Sequence, residues 1–272
     1  MMFSFLVNGS VSWQCTWIAN VVFWFFSLLG LTADYLVETR RAPRFLIHAK
    51  IQSDRHYTWR EKMDLILLTA FNMLFVSTCI CCPLYESLWH QMYPSLPGKS
   101  SNPRLTIDDE WSWSTELFLK MPIHVVVTET CFYTLHRLLH ALPWLYRHVH
   151  KVHHRWTAPT AMACVYAHPL EFALANVWPI YASAIVTNAH PYTCYAWWAL
   201  AMAGTCLGHC GYRIAGYQDA HDQHHVSFHV HYGGLFLSDW LMGTTATCAK
   251  ATTTSSTSTR HYKQSTTNCD AD

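Results

Sequence analysis

From residue 18 to residue 31 the chain is almost continuously apolar, and no lysine or arginine occurs anywhere in residues 1–39. With its flanks, this run is about as long as the roughly 20 residues that one bilayer crossing requires. A cleaved signal peptide would put basic residues ahead of its apolar core. None is there, so the run is expected to be a retained anchor. Only 13% of the residues are charged and 51% are hydrophobic, against about 25% charged in an ordinary soluble domain. A net charge of +1 gives no electrostatic footprint for nucleic acid.

Charge then orients the chain. Arg40, Arg41, Arg44, Lys50, Arg55, Arg60 and Lys62 form one basic loop. The positive-inside rule puts that loop in the cytosol and the N-terminus across the membrane. Asn8-Gly9-Ser10, a glycosylation sequon, falls on the expected lumenal side. Residues 65–85 read as a second span and 86–113 as a lumenal loop. Residues 115–135 read as a third span, ending at His136 on the cytosolic side. Residues 172–187 and 192–208 flank Asn188-Ala189-His190-Pro191 and read as a helical hairpin. If both arms cross there are five spans, and if the pair is re-entrant there are three. The expected fold is an all-α integral membrane bundle of three to five transmembrane helices with a cytosolic, histidine-rich di-metal cap. Residues 1–112 form its N-terminal membrane region, 113–244 its catalytic region, and 245–272 a Thr/Ser-rich tail read as disordered.

Cysteine spacing suggests no zinc module. Most of the 11 cysteines lie within apolar runs and no repeated Cys-x-x-Cys pair is present, so they read as free, buried thiols, with a disulfide involving Cys15 or another lumenal cysteine as the lesser alternative.

The chemistry is in the histidines. His136 and His140 are four residues apart. His150, His153 and His154 follow, and the same His-x-x-His-His pattern returns at His221, His224 and His225. Residues three and four apart share a helix face, and neutral imidazole suits iron, zinc, copper and nickel. Eight such ligands overfill one ion, whereas two octahedral ions offer about a dozen positions and leave some open for dioxygen. The absence of thiolates argues against a structural zinc site. His209, directly after an apolar run, is a further candidate, and His168 a weaker one. Glu129 lies seven residues, about two turns, before His136. A carboxylate inside a membrane helix is by default functional, and its expected task is to accept the N–H of a metal-bound imidazole. His148, His229 and His231 are expected to make only local hydrogen bonds. His48, His56, His90, His124, His190 and His261 are given no role.

These boxes resemble the signature of the fatty acid hydroxylase superfamily, membrane di-iron enzymes that include sterol C-4 methyl oxidase, sterol C-5 desaturase and cholesterol 25-hydroxylase. His136-Arg137-Leu138-Leu139-His140, His150-Lys151-Val152-His153-His154 and Tyr166-Ala167-His168-Pro169-Leu170-Glu171 are especially similar to the sterol C-4 methyl oxidase branch. Trp156-Thr157-Ala158-Pro159 and His209-Cys210-Gly211-Tyr212 look closer still to the fatty acid hydroxylase domain-containing protein 2 group. The resemblance implies a multi-pass enzyme of the endoplasmic reticulum membrane with its boxes facing the cytosol. It implies two iron ions, with zinc possible in a purified form. The ligands would be His136, His140, His150, His153, His154, His209, His221, His224 and His225. It also implies O2 as oxidant, electrons from NAD(P)H through cytochrome b5 and its reductase, and a sterol or fatty acyl lipid as substrate. The implied reaction is hydroxylation by a non-haem di-iron monooxygenase. Desaturation at the same site, or a non-catalytic lipid-binding relative, are the alternatives. One departure is Arg213, where some members carry a further histidine.

Overall fold

The computed structural model describes residues 10–51, 57–92, 110–213 and 218–246. The Asn8 sequon, most of the 86–113 loop and nearly all of the 245–272 tail therefore lie outside the described residues. Helix α1 (Val11–Glu38) starts at Ser10, whose hydroxyl accepts the Trp13 amide. After the short α2 (Arg44–Ala49), helix α3 runs continuously over Trp59–Met92. Its start is a capping box: Thr58 Oγ1 accepts the Glu61 amide while Glu61 accepts the Thr58 amide. A π-helical turn (Ser114–Lys120) leads into α4 (Met121–Ala141). Pro143 forces Leu142 into an extended conformation and ends α4 there. Helix α5 (Pro143–His148) and two 3-10 turns (His150–Arg155 and Ala161–Val165) follow. Then come α6 (Pro169–Thr187), α7 (Pro191–Gly208), α8 (Gln218–Ser227) and α9 (Leu237–Met242). Among the described residues no strand forms, only an isolated antiparallel bridge between Lys50 and Tyr212.

Among the described residues three helices are long and apolar enough to cross a membrane: α1, α3 and α6. Helix α4, expected as the third span, is outside that set, and so is α7. The reason for α4 is visible in its sequence. It turns His124, Glu129 and His136 inward, all buried, and these polar residues dilute its apolarity. The core crosses the 112/113 boundary rather than respecting it. Phe23 of α1, Met73 of α3, Met162, Tyr181 of α6 and Trp198 of α7 belong to one buried cluster. Gly30 of α1 faces Ala161 so closely that a Cβ there would sit 2.9 Å from the Ala161 Cβ. The basic loop is folded onto the end of the bundle that carries the histidines: the Ile51 amide donates to Gly211 O at 3.0 Å, and Tyr57 donates to Ala158 O at 2.7 Å. All nine described cysteines, Cys15 included, are free thiols; Cys79 is exposed, against the expectation of burial.

Buried polar side chains on α3 anchor the irregular segment behind the site. Asn72, fully buried, donates from Nδ2 to Val165 O and Ala167 O, both at 2.9 Å. Replacing it with Asn72→Leu strands both carbonyls in an apolar interior. A loss of roughly 1–3 kcal/mol is expected, read as a lowered Tm of the detergent-purified protein.

Candidate metal centre

The structure brings all nine box histidines, including His209, to one end of the bundle, where they divide into two groups. The first holds His136 and His140 from α4, His150 and His154 from the 3-10 turn, and His224 from α8. The second holds His153 from that same turn, His209 just past α7, and His221 and His225 from α8. Within each group the candidate ligand atoms all lie within 4.8 Å of one another.

The division corrects the expectation that each His-x-x-His-His box presents one face. In the second box His150 and His154 join the first group while His153 joins the second. In the third box the assignment is reversed, with His221 and His225 in the second group and His224 in the first. Consecutive residues lie about 100–120° apart around either kind of helix. Adjacent histidines such as His153 and His154 therefore diverge, and each box contributes to both groups.

Hydrogen bonds at Nδ1 fix what the ring edges can do. His136 Nδ1 meets Tyr232 O at 2.7 Å, and His224 Nδ1 meets Val230 O at 2.7 Å. His153 Nδ1 meets Tyr166 O at 3.3 Å, and His209 Nδ1 meets Thr205 O at 2.9 Å. His150 Nδ1 meets the Glu171 carboxylate at 2.7 Å. Carbonyl and carboxylate oxygens only accept, so these five rings carry their proton on Nδ1 and a lone pair on Nε2. Yet His136 and His150 point Nε2 at each other across 3.1 Å, and His153 and His209 do so across 3.4 Å. No proton is available to bridge either pair, and the Nε2 of His224 is buried without any partner. Converging lone pairs in a dry interior are what a cation-binding donor set looks like, and the residues fit metal ions at both groups.

Burial keeps the imidazoles neutral and ready to ligate. It pushes His153 down to about 4, with further help from His136, and His209 down to about 3, with further help from His153. His221, His224 and His225 are driven well below the ordinary histidine value by burial first and neighbouring imidazoles second.

Glu129 does not do what its position in the sequence suggested. Both its oxygens are taken by backbone amides, those of Gly234 and Leu235 at 2.9 Å and Ser238 at 3.3 Å. No imidazole N–H reaches it. It instead holds the loop whose Tyr232 carbonyl positions His136, and Asp239 assists by accepting from the Tyr232 and Gly233 amides at 2.8 and 2.7 Å. Gly233 is wedged between these carboxylates. A Cβ there would collide with Glu129 and stand 2.8 Å from Asp239 Oδ2. The carboxylate that does accept an imidazole N–H is Glu171 at the start of α6. Its position in the sequence, at the start of an apolar helix and outside the histidine boxes, gives no hint of this role. His168 stays outside both groups, accepting the Leu170 amide at 3.2 Å. His148 donates locally to Trp144 O, and His231 accepts from the Ala246 amide. His124, given no role, is a buried structural link between Ser183 and Thr187.

The family model for fatty acid hydroxylase matches residues 121–244, the stretch that supplies every one of these histidines. The chain carries a fatty acid hydroxylase domain. The human fatty acid hydroxylase domain-containing protein 2 is 33% identical over 226 residues, covering 82% of this chain and 63% of that protein. Methylsterol monooxygenase 1 of Danio rerio is 27% identical over 236 residues, covering 83% of this chain and 74% of the relative. A very-long-chain aldehyde decarbonylase of rice, GL1-11, is 33% identical over 144 residues, covering 48% of this chain and 53% of its own. The chain thus spans less than two thirds of the human relative's length. No solved structure matches. Two of these relatives are thus named for reactions of lipids, one as a monooxygenase and one as a decarbonylase, and the matched domain of this chain has histidine groups able to hold metal.

Two outcomes follow from this geometry. Glu171→Ala frees the His150 ring and is expected to weaken metal retention by roughly 10–100-fold, measured by metal analysis after dialysis against a chelator. The pH dependence has a definite sign. An unfolded histidine protonates near pH 6.5, whereas folded His153 resists until about 4. The unfolded state therefore binds the extra protons, and stability present above pH 6.5 is lost as pH falls from there toward 4. The Tm of the metal-free protein is expected to drop between pH 7 and pH 5.

Proposed function

We propose that this chain is a membrane-embedded non-haem di-iron oxygenase. It hydroxylates a C–H bond of a sterol or fatty acyl lipid with O2, using electrons that originate from NAD(P)H. The observation that carries this reading is the cavity beside the histidines. It has a volume of about 380 Å³ and reaches His136, His150, His153, His209 and His221 at one end. The remainder of its wall is largely apolar, with Val125, Phe132, Ile180, Trp197 and Leu200 among its residues. Leu200 and Leu235 line it while remaining 60% and 47% exposed, so its mouth is apolar too.

Iron held by the nine histidines would supply O2 activation and abstraction of the hydrogen. The chain's own residues do the rest. Tyr232, Tyr166, Thr205, Val230 and Glu171 fix the ring orientations. The apolar wall excludes water and holds a greasy chain with one segment against the histidines. We place catalysis in residues 113–244, with 1–112 as the membrane region. The histidine end is taken to be cytosolic in the endoplasmic reticulum membrane, because the basic loop packs on that end. Arg137, Arg147 and Lys151 are exposed beside the boxes and suit an acidic electron donor such as cytochrome b5.

Metal analysis joined to lipid profiling tests this. The purified chain is expected to hold about two irons, and cells lacking it are expected to lose an oxygenated sterol or acyl lipid. Re-expression of wild type restores that product and His153→Ala does not. A metal-free protein whose deletion leaves the lipids unchanged would overturn the assignment.

A further inference from the structure

Beyond the histidines, the cavity has few polar groups, and nearly all of them are engaged within the protein. Glu129 is occupied by backbone amides. Thr128 Oγ1 accepts the Trp197 indole N–H at 3.2 Å, and Thr205 Oγ1 donates to Ala201 O at 2.9 Å. Asn176 is different. It lines the cavity from α6, is half-buried, and its side chain makes no hydrogen bond to any described residue. An asparagine carries two N–H donors and an acceptor. Leaving them unpaired against an apolar wall inside a membrane helix is costly. No lysine or arginine is among the lining residues, and the two charged groups that are, Glu129 and Glu171, are carboxylates.

We propose that Asn176 is a specificity-determining residue whose amide hydrogen-bonds the oxygen of an uncharged lipid, a hydroxyl or a carbonyl. The inference rests on the oxygenase reading above and narrows its substrate class. An ionised headgroup, carboxylate or phosphate, would find no lysine or arginine in this wall to pair with, and would meet the carboxyl groups of Glu129 and Glu171. Asn176 lies five residues beyond Glu171, about one turn of the π-helical stretch Phe172–Val177, and so lines the same cavity. The lipid oxygen is thereby held away from His150, and a carbon further along the molecule is presented to the histidines. A sterol and a long-chain alcohol both offer this chemistry.

Binding separates these cases without relying on turnover. The full-length protein in lipid nanodiscs is titrated with radiolabelled cholesterol and octadecanol, with their hydroxyl-free counterparts cholestane and octadecane, and with stearate. At least one alcohol is expected to bind about tenfold tighter than its counterpart, and the pair that shows the difference identifies the source. In Asn176→Leu that preference falls to within about twofold, while the hydroxyl-free probe binds as it does to wild type, which shows that the variant is folded. Asn176→Ser, which keeps a donor and an acceptor, regains part of the preference. The proposal is overturned if each alcohol and its counterpart bind wild type equally, if Asn176→Leu keeps the full preference, or if stearate binds as tightly as octadecanol. Failure of the oxygenase reading appears separately, as a protein without iron whose preference for the alcohol is intact.

Discussion

Nine imidazoles packed with their lone pairs facing inward repel one another unless positive charge sits between them. This electrostatic constraint organises the domain. Burial strips the rings of water and of protons, and hydrogen bonds at the outer nitrogen hold five of them in the tautomer that points electron density to the centre. Such an arrangement is unfavourable alone and strongly favourable around cations. Metal held by these groups would therefore help to stabilise this end of the fold, and the apolar helices beneath it supply the platform.

Most of the orienting groups are backbone carbonyls, and these are themselves secured from behind. Asn72 of α3 ties down the Val165 and Ala167 carbonyls on either side of Tyr166. Glu129 and Asp239 clamp the loop that offers Tyr232. The membrane helices and the histidine end are in this sense one structure. Side chains midway along the spans decide where carbonyls at the rim point, and those carbonyls decide where the rings point.

Much of this could be read from the residues. The apolar runs located α1, α3, α6 and α7; the repeated His-x-x-His-His spacing located six of the histidines that the structure brings together, the four-residue spacing located His136 and His140, and the end of an apolar run located His209. What could not be read is instructive. Helix periodicity placed Glu129 on the stripe of His136 and His140, but periodicity is blind to a loop more than 100 residues later whose amides take the carboxylate. Glu171 was obscured because its partner, His150, is distant in sequence and comes from an irregular turn. The same-face rule also groups residues three and four apart without distinguishing them, whereas the roughly 100–120° between consecutive residues sends His153 and His154 to different groups. Asn176 gave no signal at all in the sequence. An isolated asparagine in an apolar run becomes informative only when a cavity opens beside it.

Because each His-x-x-His-His box straddles the two groups, the spacing between the groups is tied to single peptide units, His153-His154 and His224-His225. Loading would be coupled for the same reason. An ion held by either group would immobilise both boxes and leave the other group's ligands already in place, so two ions would fill the groups cooperatively rather than one after the other.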